Sequence, residues 1–245
     1  MTRTFLNPVS ISLVTRLLAS LLSPMLWIVA QGADTAKRLD LSGVYESLPA
    51  GTALPSGYKN IGSPANIELL PYALGRRSDT EQQEEDAFKL CQAIGPFRMM
   101  AMERTKIELV PVPGMLVMLF EDISHGNLRT FYLNRPHPQH LKPTLQGDSI
   151  AHWEGDTLVI DTTGLSDRSW LNDSGAHSSE ALHLSERIRL LRGGAILEYE
   201  LRAEDPKALA KPYAYTRYYE RLTSEIKEDV CEIDSHWDCG NLCLK

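Results

Sequence analysis

Two groups of residues in this chain have types and spacings that could do chemistry. The first is a carboxylate and a guanidinium on apolar rows. In the run 182–190 one face reads Leu182, Leu184, Glu186, Ile188, Leu190, and Arg129 shares a face with Phe131 and Leu133. A charge in such a row is buried when the strand packs, and a buried charge demands a partner. Glu186 and Arg129 are therefore expected to meet. Enclosed, they form a structural ion pair. Facing a cavity, Arg129 would hold an anionic or carbonyl group and Glu186 would act as a base with a shifted pKa.

The second group is histidine. His137 and His140 stand in Arg135-Pro136-His137-Pro138-Gln139-His140, and His177 and His183 in Ala176-His177-Ser178-Ser179-Glu180-Ala181-Leu182-His183. Imidazole ligates metals and transfers protons near neutrality, so two His-bearing loops at one mouth of a fold would make a site. The candidate catalytic residues are thus Glu186, His183, His177 and His137. The candidate ligand contacts are Arg129, Asp161, which is in phase with Val159 and Thr163, and Trp153 and Trp170, which flank the 157–164 segment.

Several chemistries lack their signatures. Cys231, Cys239 and Cys243 have the spacing C-x7-C-x3-C, which with His236 matches no common zinc pattern, so no metal is expected. Ser178 and Ser179 sit in no G-x-S-x-G elbow, and neither a G-x-G-x-x-G nor a Walker sequence occurs, so no cofactor is expected.

The elements that must position these residues are mostly strands. Gly43 opens a first one, and a Gly/Pro-rich stretch through Pro64 reads as a loop. Ser78 and Glu81 form a capping box, which predicts one helix over Asp79–Leu90. From residue 105 the period is two: Lys106–Val110, Met115–Asp122, Arg129–Asn134, Ser149–Trp153, Thr157–Thr163, Leu182–Leu191, Ile196–Ala203 and Tyr213–Leu222 read as strands joined by glycine-bearing turns. About eight or nine strands in a meander must hide their edges, and closure does so. The expected fold is mainly β, an antiparallel up-and-down, lipocalin-like barrel with one short helix.

The chain has 245 residues, net charge −7 and 7% aromatics, which is not the footprint of a nucleic-acid binder. Residues 1–32 carry Arg3 and Arg16, an apolar run Leu17–Ala30, and Ala30-Gln31-Gly32 ahead of a cut before Ala33, the form of a signal peptide. That run spans only about 21 Å of a hydrocarbon core about 30 Å thick, so no stable membrane insertion is expected after cleavage. The expected organisation is a leader at 1–32, a single barrel domain at 33–230 and a Cys-containing tail at 231–245, in a periplasmic or extracellular protein. Cys91, Cys231, Cys239 and Cys243 would pair in that oxidising setting, with three connectivities open.

Arg135-Pro136-His137-Pro138, the run His152-Trp153-Glu154-Gly155-Asp156-Thr157-Leu158-Val159-Ile160-Asp161-Thr162-Thr163-Gly164, Trp170-Leu171 and His177–Arg187 together resemble an uncharacterised family of exported bacterial proteins over most of 40–232. The resemblance supplies no activity. It implies a Cys91–Cys231 disulfide, with Cys239 and Cys243 peculiar to this chain. Members typically carry a Gly-x-Trp near the mature start, as lipocalins do, where this chain has Gly43-Val44-Tyr45. The functional expectation is an exported barrel whose partner is a small, largely apolar ligand. The alternative is a cofactor-independent lyase, isomerase or hydratase using Glu186, Arg129 and the histidines in the same cavity. A structural envelope protein would need no cavity at all.

Overall fold

The computed structural model describes residues 40–49, 52, 66–75, 93–102, 105–121 and 128–227. Among them nine strands close into one barrel: β1 (Gly43–Ser47), β2 (Lys106–Val112), β3 (Met115–Phe120), β4 (Leu128–Leu133), β5 (Asp148–Glu154), β6 (Thr157–Thr163), β7 (His183–Leu191), β8 (Ile196–Glu204) and β9 (Tyr213–Leu222). Two short helices accompany them, α1 (Pro71–Gly75) and α2 (Pro96–Met99). The expected helix over 79–90 and all four cysteines lie outside the described residues, as do the leader and the tail.

Each strand is in place because its alternate residues are apolar and bury one face. Ile107 and Leu109 of β2, Leu116 and Met118 of β3, Leu158 and Ile160 of β6, and Leu197, Tyr199 and Leu201 of β8 share one core. Each such aliphatic side chain contributes roughly 1.5–3 kcal/mol on burial. Closure occurs where β1 pairs with both β2 and β9. Arg221 holds that seam: its guanidinium lies 4.8 Å over the Tyr45 ring and donates to the carbonyls of Ser42 (2.6 Å) and Gly194 (2.8 Å). Gly43 has φ +133°, and a Cβ there would come within 2.6 Å of Arg221 Nη1, so glycine is required.

The barrel departs from a pure antiparallel meander at one pair. β4 and β5 run parallel over only Phe131–Leu133 and Ser149–Ala151. A tight turn cannot join parallel strands, and the long connection 134–147 returns the chain to the starting end. Pro136 and Pro138 favour that long loop over a hairpin.

A segment around α2 plugs the interior. Phe97 packs edge-on against Tyr213 and Tyr215 at centroid distances of 6.0 and 5.8 Å, and the Tyr215 hydroxyl donates to the Phe97 carbonyl (2.9 Å). Phe97 and Met100 belong to the main core.

Candidate functional site

Three polar clusters occupy the barrel. In the first, Arg129 Nη1 and Nη2 donate to Glu186 Oε1 and Oε2 at 2.6 and 2.7 Å. Thr162 adds a 3.0 Å bond to the same carboxylate, Tyr199 donates its hydroxyl to it, and Ser149 bonds Thr162 at 2.7 Å. Glu186 is 0% exposed and Arg129 2%. Burial alone would raise the Glu186 pKa, but Arg129, then the Tyr199 and Thr162 hydroxyls, outweigh it and hold the carboxyl below its ordinary range. A carboxylate with lowered pKa and both oxygens engaged is a weak proton acceptor, so the geometry is that of an enclosed ion pair.

The second cluster is the inward row of β9: Tyr215, Arg217 and Tyr219, all buried. Arg217 donates through Nη2 to the Ala101 carbonyl of the plug. Among the described residues its Nε and Nη1 have no hydrogen-bond partner, nor does the Tyr219 hydroxyl. A guanidinium carries five N–H donors and a permanent charge, so burying one against a single neutral carbonyl leaves its charge uncompensated. Burial pushes the pKa values of Tyr215 and Tyr219 up, so both hydroxyls remain protonated.

The third cluster is on the outer wall. His137 Nδ1 is 2.7 Å from Asp148 Oδ1, its Nε2 is 2.8 Å from Asp161 Oδ1, and His183 Nε2 is 2.6 Å from Asp161 Oδ2. Arg135 donates to Asp148 at 2.5 Å and stacks 3.9 Å over Tyr132. Burial would raise the Asp161 pKa, but its hydrogen bonds to His137 and His183 reverse the sign and lower it. Among the described residues no group of three or more His, Cys, Asp or Glu is arranged to hold a metal ion.

The sequence-derived candidates thus separate. Glu186 and Arg129 meet inside. His137, His183 and Asp161 meet outside, because the inward row of β6 is Leu158, Ile160, Thr162, which puts Asp161, with Val159, on the outer face. His177 stands apart: it is buried beside Trp170 at 5.8 Å, with Nδ1 3.0 Å from the Asp167 carbonyl oxygen, and Arg98 lies 5.3 Å over the Trp170 ring. His140 is exposed, and Trp153 packs on the core. Among the described residues the barrel wall stands between Glu186 and Arg129 on its inner side and His137 and His183 on its outer side.

Sequence reading passed over Thr162, Tyr199, Ser149 and Arg217. The signal for Arg217 was present: Tyr213, Tyr215, Arg217, Tyr219 and Arg221 alternate along one strand. A groove of about 550 Å³ outside β7–β9 has a mixed-charge lining that includes Arg187, Arg189, Glu198 and Arg202. These charges pair off, Arg189 with Glu198, Arg187 with Glu154 (3.0 Å) and Arg202 with Glu204 (2.7 Å), as on an ordinary solvated face.

No family model and no curated protein matches the chain. Among solved structures it is similar to a REP1-NXSQ fatty acid transporter, at 9% identity and a TM-score of 0.37 over 76% of this chain and 98% of that one. It is also similar to a zebrafish ileal bile acid-binding protein complexed with cholic acid, at 10% identity and a TM-score of 0.36 over 74% of this chain and 98% of that one.

Proposed function

We propose that the barrel binds a small, largely apolar molecule bearing an acidic group, and that the protein does so after export. The observation that carries this reading is Arg217, whose only acceptor among the described residues is the Ala101 carbonyl. Two unpartnered nitrogens, carrying three N–H groups, and a phenol hydroxyl offer donors and no negative charge. An anion fits them, and a charge-assisted bond would be stronger than the bond to a neutral carbonyl. Phe97, Met100 and Tyr215 share the core cluster of Tyr219, and Tyr213 packs against it, apolar and aromatic groups suited to the body of an amphiphile. In this reading the plug occupies the ligand's place: the acid displaces the Ala101 carbonyl from Arg217, and the apolar body replaces Phe97 and Met100 as they move out. Support for export is the form of residues 1–32.

The chain expressed at full length and recovered from the export compartment is expected to carry acidic amphiphiles, seen as adduct masses in native mass spectrometry and released by organic extraction. Adduct-free protein that also fails to take up added dodecanoate would overturn the reading.

A further inference from the structure

The connection 134–147 runs over the outer wall with few ties of its own. Its backbone is bonded near the two ends, Asn134 N–H to the Ala151 carbonyl (2.9 Å) and Thr144 N–H to the Gly164 carbonyl (3.0 Å). Between them Pro136, Pro138 and Pro143 have no N–H to donate. Among the described residues the polar ties of 135–143 to the strands are two side chains, Arg135 on Asp148 and His137 on both Asp148 and Asp161.

His137 is the unusual one of the two. Its Nδ1 lies 2.7 Å from an oxygen of Asp148 and its Nε2 2.8 Å from an oxygen of Asp161, so each ring nitrogen meets a carboxylate of a different strand. An ionised carboxylate only accepts, and a neutral imidazole carries a single N–H. With both carboxylates ionised, both bonds form only when the ring is an imidazolium. Burial would raise the Asp161 pKa, but the bonds to His137 and His183 outweigh it and lower the value, so Asp161 is an acceptor here.

The charged and titratable groups around the ring are Arg135 of its own connection, Asp148 of β5, Asp161 of β6 and, beyond Asp161, His183 of β7. Arg135 is stacked over Tyr132 of β4, and Glu204 of β8, opposite His183, is held by Arg202. One guanidinium against two carboxylates leaves one negative charge, and an imidazolium balances it. His183 differs, because only its Nε2 meets Asp161 and one N–H completes that bond in either charge state.

We infer that His137 is a proton-operated clasp: as an imidazolium it ties the connection 134–147 to both β5 and β6, and on losing a proton it lets go of one strand and loosens the connection. The neutral ring keeps one N–H, and its bare nitrogen is left against a carboxylate, acceptor to acceptor. The tie is whole on the acid side of the ring's titration and is lost as pH rises through it. The side chains of His137 and Asp161 are 21% and 40% exposed, so the proton exchanges with solvent without opening the barrel.

The test uses the full-length protein, isotope-labelled, at about pH 5.5 and about pH 8, on either side of free histidine. At the lower pH the His137 ring is expected to show two protonated nitrogens, each with a hydrogen-bonded N–H signal, and at the higher pH one. Order parameters of 136–142 from α-carbon relaxation, which needs no labile proton, are expected to fall from about 0.85 to below about 0.6 over the same interval. Asp161→Asn, whose side-chain amide can accept from the ring or donate to it, should make the order parameters alike at the two pH values. His183→Asn should keep the fall. A wild-type connection equally ordered at both pH values overturns the inference, as does a ring with one hydrogen-bonded N–H at the lower pH. A fall that persists in Asp161→Asn, or vanishes in His183→Asn, overturns it as well.

Discussion

Arg129 and Arg217 are the same residue in the same barrel, each 2% exposed, and their surroundings are opposite. Arg129 is held by both oxygens of Glu186 and backed by Ser149 and Thr162, so that only Nε is left over. Arg217 meets one backbone carbonyl and leaves two nitrogens bare. A folded barrel can afford the first arrangement because its desolvation is offset within the wall. The second is offset by nothing among the described residues, and a fold selected for stability alone would have put an apolar residue there. The difference separates a charge compensated within the wall from one left uncompensated among the described residues.

Substitutions test that difference most sharply at Glu186. Glu186→Gln leaves Arg129 uncompensated and is expected to destabilise the fold by about 3–5 kcal/mol in urea unfolding. A loss below about 1 kcal/mol would mean that the pair is hydrated and the comparison false. Arg217→Met should move the other way, leaving ligand-free stability unchanged or raising it by about 1–3 kcal/mol, since an uncompensated buried charge is removed. A large loss there would show that Arg217 is structural too.

Tyr199→Phe removes a single bond to the charged carboxylate, and a loss of about 1.5–3 kcal/mol is expected by the same measurement. Acid unfolding gives a further check. The Glu186 pKa is held below its ordinary 4.5 in the fold. Its contribution to stability is thus fully present above the unfolded-state value and is lost as pH falls through the lower folded one. Stability should be flat from pH 7 down to about 5 with respect to this group and fall below about 4.5. In Glu186→Gln that acid slope should be reduced. The smallest effect belongs to the outer wall: His183→Asn, at a half-exposed position, is expected to change stability by less than about 1 kcal/mol.

Much of this arrangement was legible in the sequence. β6 begins and ends where alternation and its flanking glycines place it, at Thr157–Thr163, and β9 where alternation alone does, at Tyr213–Leu222. The Glu186–Arg129 pair follows from two charges on apolar rows, because burial phase is a local property of a strand. The parallel direction of β5 was not legible: it depends on where the 134–147 connection returns, which alternation does not encode. Asp161 was read with its strand neighbours, although Leu158, Ile160 and Thr162 alternate equally well and win the interior. The meeting of His137 with His183 depends on that same register, since β6 places Asp161 opposite Ser185 of β7. His177 stays away because its loop folds back on Trp170 rather than toward the barrel mouth.

The most direct measurement is calorimetric titration of the wild type and Arg217→Met with dodecanoate and with dodecanol, its uncharged counterpart. The account predicts that the wild type binds dodecanoate and that Arg217→Met weakens it at least tenfold, about 1.4 kcal/mol, while dodecanol affinity changes little. Dodecanoate bound equally well by both proteins, or by neither, would contradict it.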